Sequence, residues 1–158
     1  MVQLPSHGMQ IRRAGPPDVV AIRELTRSAY ARWVPLIGRE PTPMTADYDR
    51  AVSDHMIDLL FIDAELVALI ETATRADHLL LENVAVAPAF QGRGYGRLLL
   101  AHAERLAASL RLSEVRLYTN KQFVRNIAIY HRLGYAIDRE EPFRGGFIVH
   151  MSKTVTPG

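Results

Sequence analysis

Three glycines at alternate positions, Gly92, Gly94 and Gly96, stand between Gln91 and the apolar run Leu98-Leu99-Leu100. They follow the run Val84-Ala85-Val86 and Pro88. A strand that enters a glycine turn opening directly onto an amphipathic helix converges several backbone N–H groups, and the positive helix end, on one anion. Such a turn is a phosphate cradle, because a Cβ would block close approach of the main chain to phosphate oxygens and because some positions need a positive φ. Arg93, Tyr95 and Arg97 lie in the same stretch, and the two arginines add cationic donors. A Walker loop would need Gly-Lys-Ser/Thr after a longer gap, and a dinucleotide fingerprint would need G-x-G-x-x-G with an acid about twenty residues on; neither spacing is present.

A second constellation is Asn126 and Tyr130, four residues apart and therefore on one face of a helix, where they can address one ligand. A phenol with an ordinary pKa of about 10 stays protonated at neutral pH. The competing assignment is an amphipathic core tyrosine. The chain has no cysteine, and no serine in a nucleophile-elbow context, so neither residue type offers a covalent nucleophile. Its six histidines lack H-x-x-x-H or H-E-x-x-H spacing, so no metal site is expected.

Those residues must be held by elements that the pattern of apolar residues outlines. A short strand is expected at 10–14. A helix capped by Asp18 follows, with Ile22, Leu25, Ala29 and Trp33 at helical spacing, ended by Pro35 and Gly38. An irregular segment with two prolines leads to a second helix over about 45–56. Three antiparallel strands are expected at 59–62, 66–70 and 79–86, with Asp63-Ala64-Glu65 and residues 74–77 as turns. A helix from Tyr95 buries Leu99, Ala103, Leu106 and Leu110. Then come a strand at 114–118, a helix over about 121–133 closed by Gly134, and strands at 135–139 and 146–153. That order is α+β, with a mixed sheet in which helix-linked strands can lie parallel.

The 158 residues, with 48% hydrophobic and 23% charged side chains, fit one globular domain with its core over about 10–153, and exclude collagen, coiled coil and disorder. Without cysteine there is no disulfide framework, and a reducing cytoplasmic location is the expectation. Nineteen Lys+Arg against seventeen Asp+Glu give a formal charge of +2, weak support for a nucleic-acid partner. No apolar run reaches the roughly 18 residues of a membrane span, so no membrane partner is expected.

The pattern Gln91-x-x-Gly94-x-Gly96, preceded by the Val84-Ala85-Val86 strand and Pro88, resembles the acetyl-CoA pyrophosphate loop of the Gcn5-related N-acetyltransferases (GNAT). The resemblance continues through Thr119-Asn120, Asn126, Tyr130 and Gly134-Tyr135. It implies a mixed, mostly antiparallel central sheet of six to seven strands flanked by about four helices, and a function as an acetyl-CoA-dependent N-acetyltransferase in which an amine attacks the thioester directly. It also implies that Val84, Ala85 and Val86 hold pantetheine and thioester through their main chain, that Gln91 to Arg97 cradle the pyrophosphate, and that Asn126 bonds the pantetheine arm. Tyr130 would protonate the leaving CoA thiolate. Many members carry the asparagine seven residues before the tyrosine, where this chain has Phe123, and Asn120 could share the role of Asn126. A homodimer is the family-level expectation.

Acetyl transfer needs a neutral amine near the carbonyl. Glu82 shares a strand face with Val84 and Val86 by period-two alternation and is the candidate base, against the alternative that it points to solvent or pairs with an arginine. Glu71, His78 and His150 are further candidates. The acceptor pocket is expected from the loop after the first helix, with Tyr30, Trp33, Arg39, Glu40 and Tyr48 as its lining. Arg39 and Arg144 suit a substrate carboxylate, and Glu40 or Asp47 an ammonium. Two rival functions remain. One is an acyl-CoA sensor without turnover. The other is a basic adaptor using Arg93, Arg97, Arg105, Arg111 and Arg116, although Glu104 and Glu114 interrupt that face.

Overall fold

A computed structural model describes residues 8–156. Seven strands form one sheet in the order β1-β2-β3-β4-β5-β7-β6: β1 (Met9–Arg13), β2 (Met56–Ile62), β3 (Glu65–Thr74), β4 (Leu79–Val86), β5 (Glu114–Asn120), β6 (Ala136–Phe143) and β7 (Gly146–Thr154). Among the described residues the α-helices are α1 (Val19–Tyr30), α2 (Val34–Ile37), α3 (Thr42–Thr45), α4 (Tyr48–Asp54), α5 (Tyr95–Ser109) and α6 (Val124–Arg132). The β1–β2, β2–β3, β5–β7 and β6–β7 pairs are antiparallel, and β4–β5 is parallel, as the intervening helix requires.

The chain divides into two compact units. One comprises residues 8–72 with Asn83–Ala101, the other Ala73–Glu82 with 102–156. In the first, Ile22, Leu25 and Ala29 of α1 bury against Ile57, Leu59, Leu69 and Ala85. In the second, Val115 and Leu117 of β5 and Val149 and Met151 of β7 are buried. Leu117 and Met151 stand opposite each other in the ladder.

Local chemistry accounts for where elements stop. Pro35 does not end the first helical stretch. A 3-10 turn at Ala31–Trp33 leads into α2, and Pro35 occupies its first turn, where no N–H is needed. Gly38 ends it, left-handed at φ 73°, with its N–H on the Val34 carbonyl at 2.8 Å. The loop beyond contains the single turn α3. The next helix starts at Tyr48, because the Asp47 carboxylate accepts the Arg50 N–H at 3.2 Å. Likewise α6 begins three residues later than its periodicity suggests, since Asn120 Oδ1 accepts the Gln122 N–H at 2.8 Å and folds the entry into a turn.

In α5, Leu99 and Ala103 are buried as expected, but Leu106 is only half-buried and Leu110 lies exposed past the helix end. Ala107 and Leu112 take their places in the core. The β2–β3 hairpin turns on Asp63 and Ala64, both at positive φ (49° and 68°), the geometry of a type I′ turn. At one end of the sheet lies β6, whose sequence includes Asp138, Arg139, Glu140, Glu141 and Pro142; at the other lies β1, with Arg12 and Arg13.

Candidate active site

The strand β4 alternates strictly between buried and half-buried residues. Leu79, Leu81, Asn83 and Ala85 face inward, while Leu80, Glu82, Val84 and Val86 lie on the other face. Its parallel ladder with β5 pairs Leu79 with Val115, Leu80 with Arg116 and Leu81 with Leu117, and stops there. A short 3-10 turn at Pro88–Phe90 then carries the chain into the glycine segment.

Gly92 and Gly94 are left-handed, at φ 78° and 88°, and a Cβ on either would stand in open space. Backbone conformation demands glycine there, and the main chain is uncovered. Gly96 differs: its φ is ordinary, and a Cβ would make a normal contact with Val86 Cγ2 at 3.9 Å. The first backbone bond of α5 runs from the Leu98 N–H to the Gly94 carbonyl at 3.0 Å, so the N–H groups of Tyr95, Gly96 and Arg97 form the unfilled helix start. Gly92, Arg93, Gly94 and Arg97 are exposed, with the Arg93 guanidinium over the Phe90 ring at 5.2 Å. Gln91 is pinned on both sides: its Nε2 donates to the Val86 carbonyl at 2.9 Å, and its Oε1 accepts from Arg32 Nη1 at 2.8 Å.

Asn83 anchors a network in the same unit that the sequence reading missed. Its Oδ1 accepts the Tyr30 hydroxyl at 2.9 Å, and its Nδ2 donates to Thr26 Oγ1 and to the Tyr48 hydroxyl, both at 3.3 Å. The Tyr48 hydroxyl donates onward to the Pro43 carbonyl at 2.6 Å, and burial pushes it up to about 12. The Tyr30 hydroxyl also reaches the Val84 carbonyl at 3.2 Å. The signal was available, because an asparagine in the inward phase of an apolar strand must find partners.

Of the expected acceptor residues, Tyr30 therefore bonds to β4. Trp33 lies under the Arg32 guanidinium at 4.7 Å, and Arg39 donates to the Glu40 carbonyl at 3.3 Å. The Glu40 carboxylate is held by Arg27 at 2.6 Å.

In the other unit, Glu82 sits 3.7 Å from Arg75 and accepts the Tyr118 hydroxyl at 3.4 Å. The alternative bases are also engaged: His78 with Asp77 at 2.7 Å and His150 with Glu141 at 2.8 Å here, and Glu71 with His55 at 2.6 Å in the first unit. On α6, Asn126 and Tyr130 are both half-buried. Tyr130 packs edge-on against Tyr135 with centroids 5.9 Å apart, and burial pushes its hydroxyl up to about 12. That hydroxyl has no hydrogen-bond partner among the described residues. The Asn120 Oδ1 is occupied by the Gln122 N–H in the turn into α6. Gly134, at φ 101°, closes α6 with its N–H on the His131 carbonyl at 3.1 Å.

The family model for the GNAT acetyltransferases matches residues 20–135. The chain belongs to the GNAT acetyltransferase family. Solved structures share its fold at low identity. PaiA N-acetyltransferase from Thermoplasma acidophilum, in complex with coenzyme A, matches at TM-score 0.78 and 21% identity, over 92% of this chain and 98% of its own. The ribosomal-protein-S18-alanine N-acetyltransferase from Escherichia coli matches at 0.74 and 20%, over 94% of each chain. A GNAT family acetyltransferase from Elizabethkingia anophelis with acetyl-CoA bound matches at 0.73 and 13%, over 95% of this chain and 100% of its own. Comparison with curated protein sequences finds no match.

Among the described residues no cluster of three or more His, Cys, Asp or Glu could hold a metal ion. No described helix is long and apolar enough to cross a membrane.

Proposed function

We propose that this GNAT protein acts as one acyltransferase domain that moves an acetyl group from acetyl-CoA to an amine by direct attack on the thioester. The observation that carries this reading is the turn at Gly92 and Gly94. Two left-handed glycines with open space above them precede the unfilled N–H groups of a fifteen-residue helix. The pyrophosphate fits there because its charge matches the helix end and because no side chain stands in the way. Arg93 and Arg97 add charge-assisted donors at the rim. Val84, Ala85 and Val86 would hold pantetheine and thioester by their main chain, with Asn126 and the Asn120 amide on the pantetheine arm.

Tyr130 would serve the leaving sulfur. With its hydroxyl raised to about 12, it is fully protonated at any physiological pH. Free proton transfer to a thiolate whose ordinary pKa is near 8.5 would run uphill by several units. Its role is therefore a hydrogen bond that strengthens as charge grows on sulfur, and the proton moves only as the thiolate is desolvated beside it. For the base, Glu82 would take the ammonium proton through water; it accepts the Tyr118 hydroxyl at 3.4 Å and lies 3.7 Å from Arg75. Trp33, Arg39 and Glu40 would shape the acceptor side, and the acceptor is an amine of a small molecule or a peptide.

Calorimetric titration of acetyl-CoA, with CoA fragments lacking the pyrophosphate as controls, tests the cradle. Micromolar affinity that falls sharply without the pyrophosphate is expected. A panel of amines read by thiol release, with no cysteine background, then tests turnover. Binding without acylation of any amine would make the protein a sensor. No affinity at millimolar acetyl-CoA would remove both assignments.

A further inference from the structure

Two carbonyls of β4 are taken by side chains rather than by a strand. The Ala87 N–H donates to the Val67 carbonyl of β3 at 2.9 Å, so the main-chain groups of Ala87 point toward β3. A residue's N–H and C=O share one edge of a strand, and the edges alternate along it. The polar groups of Val84 and Val86 therefore point to the opposite edge, the one on which the parallel ladder has ended at Leu81. On that edge, the Val84 carbonyl accepts the Tyr30 hydroxyl at 3.2 Å and the Val86 carbonyl accepts Gln91 Nε2 at 2.9 Å.

An open strand edge presents donors and acceptors in equal number, and its carbonyls would repel a growing negative charge. Here the carbonyls are occupied, and the edge becomes one of donors. The single Tyr30 O–H proton is shared in a three-centre bond, with its shorter arm on Asn83 Oδ1 at 2.9 Å and its longer arm on the Val84 carbonyl, and Asn83, held itself by Thr26 and Tyr48, keeps the ring in place. Asn83 is 3% exposed, so the anchor is shielded from water.

We propose that Tyr30 is a positioning residue for acetyl transfer: anchored by Asn83, its hydroxyl caps the Val84 carbonyl and leaves the Val84 N–H as the edge donor for the thioester oxygen. This rests on the acetyltransferase reading above, and it assigns Tyr30 to the donor strand rather than to the acceptor pocket. The geometry is set before substrate arrives, so no reorganisation is needed as charge develops on the oxygen.

The test is the isotope-edited infrared band of acetyl-CoA labelled at its carbonyl, bound to the wild-type protein, to Tyr30→Phe and to Tyr48→Phe. The expected result is a band below its free-solution frequency on the wild type, and loss of at least half of that displacement in Tyr30→Phe. CoA affinity should stay within about twofold, and kcat should fall on the order of tenfold at little-changed KM. Tyr48→Phe removes one of the two oxygens that hold Asn83 but leaves Thr26 and the Tyr30 hydroxyl in place, so it should lower the melting temperature while moving the band far less than Tyr30→Phe does. A Tyr30→Phe band identical to wild type, with binding intact, overturns the role of Tyr30 and leaves the acetyltransferase reading standing. A wild-type protein that binds no acetyl-CoA overturns both.

Discussion

Gly94 and Gly96 sit two residues apart in one motif, yet they answer to different constraints. Gly94→Ala forces an L residue into a left-handed φ of 88°, which costs about 1–2 kcal/mol unless the turn rearranges. CoA affinity should drop by about tenfold or more, with an unchanged far-UV circular dichroism spectrum. Gly96→Ala meets only an ordinary contact with Val86 and should leave stability within about 0.5 kcal/mol of wild type. Equal losses from both substitutions would show that side-chain bulk, and not backbone conformation, governs the turn. Tyr130→Phe should lower kcat by about a hundredfold with a small change in the acetyl-CoA KM, and an unchanged kcat would remove the proton-donor role. Tyr48 and Tyr130 also make a prediction about pH. Both are raised to about 12 in the folded protein and ionise near 10 when unfolded, so above pH 10 the unfolded chain binds fewer protons. Stability from these two groups is complete below pH 10 and is lost progressively as pH rises from about 10 to 12. Urea midpoints in Tyr48→Phe should fall less steeply across that window.

At the scale of elements, the β2–β3 hairpin carries an avoidable strain. Ala64 holds φ 68° in a position suited to glycine or asparagine, and Ala64→Gly should stabilise the protein by about 0.5–1 kcal/mol, seen as a higher urea midpoint at constant slope. The elements themselves were largely legible, because apolar residues recur at two or at three to four along most of the chain. β4 could be read to its final residue, since alternation and flanking turn residues agreed. What failed were element ends: β2, β3 and β6 run three or four residues beyond the apolar runs that mark them, Pro35 sits harmlessly in a first turn, and two helix starts are set by single side-chain bonds, Asp47 starting α4 and Asn120 delaying α6. Periodicity has no access to such bonds. In the candidate site, the glycine turn and the Asn126–Tyr130 pair stand close in sequence and could be found by spacing. The Tyr30–Asn83 and Arg32–Gln91 bonds join residues more than fifty apart in the chain, and only folding reveals them.

For the molecule as a whole, ligand linkage gives a direct check on identity. A ligand that binds only the folded state at a hundred times its Kd adds about 2.7 kcal/mol. For a chain of this length that is roughly 5–10 °C in melting temperature. Saturating acetyl-CoA should produce that shift and free acetate should not, whereas a basic adaptor would respond to polyanions and lose the effect steeply with salt. The ends of the sheet carry a further consequence. Its outermost strands, β1 and β6, bear Arg12 and Arg13 on one side and the run Asp138-Arg139-Glu140-Glu141-Pro142 on the other. Charges resist burial against a flat neighbour, and a proline offers no N–H to a new strand. Copies of this protein cannot readily zip edge to edge, so a concentrated solution should stay clear where a bare seven-stranded sheet would seed fibrils, and any self-association must use some surface other than the strand ends.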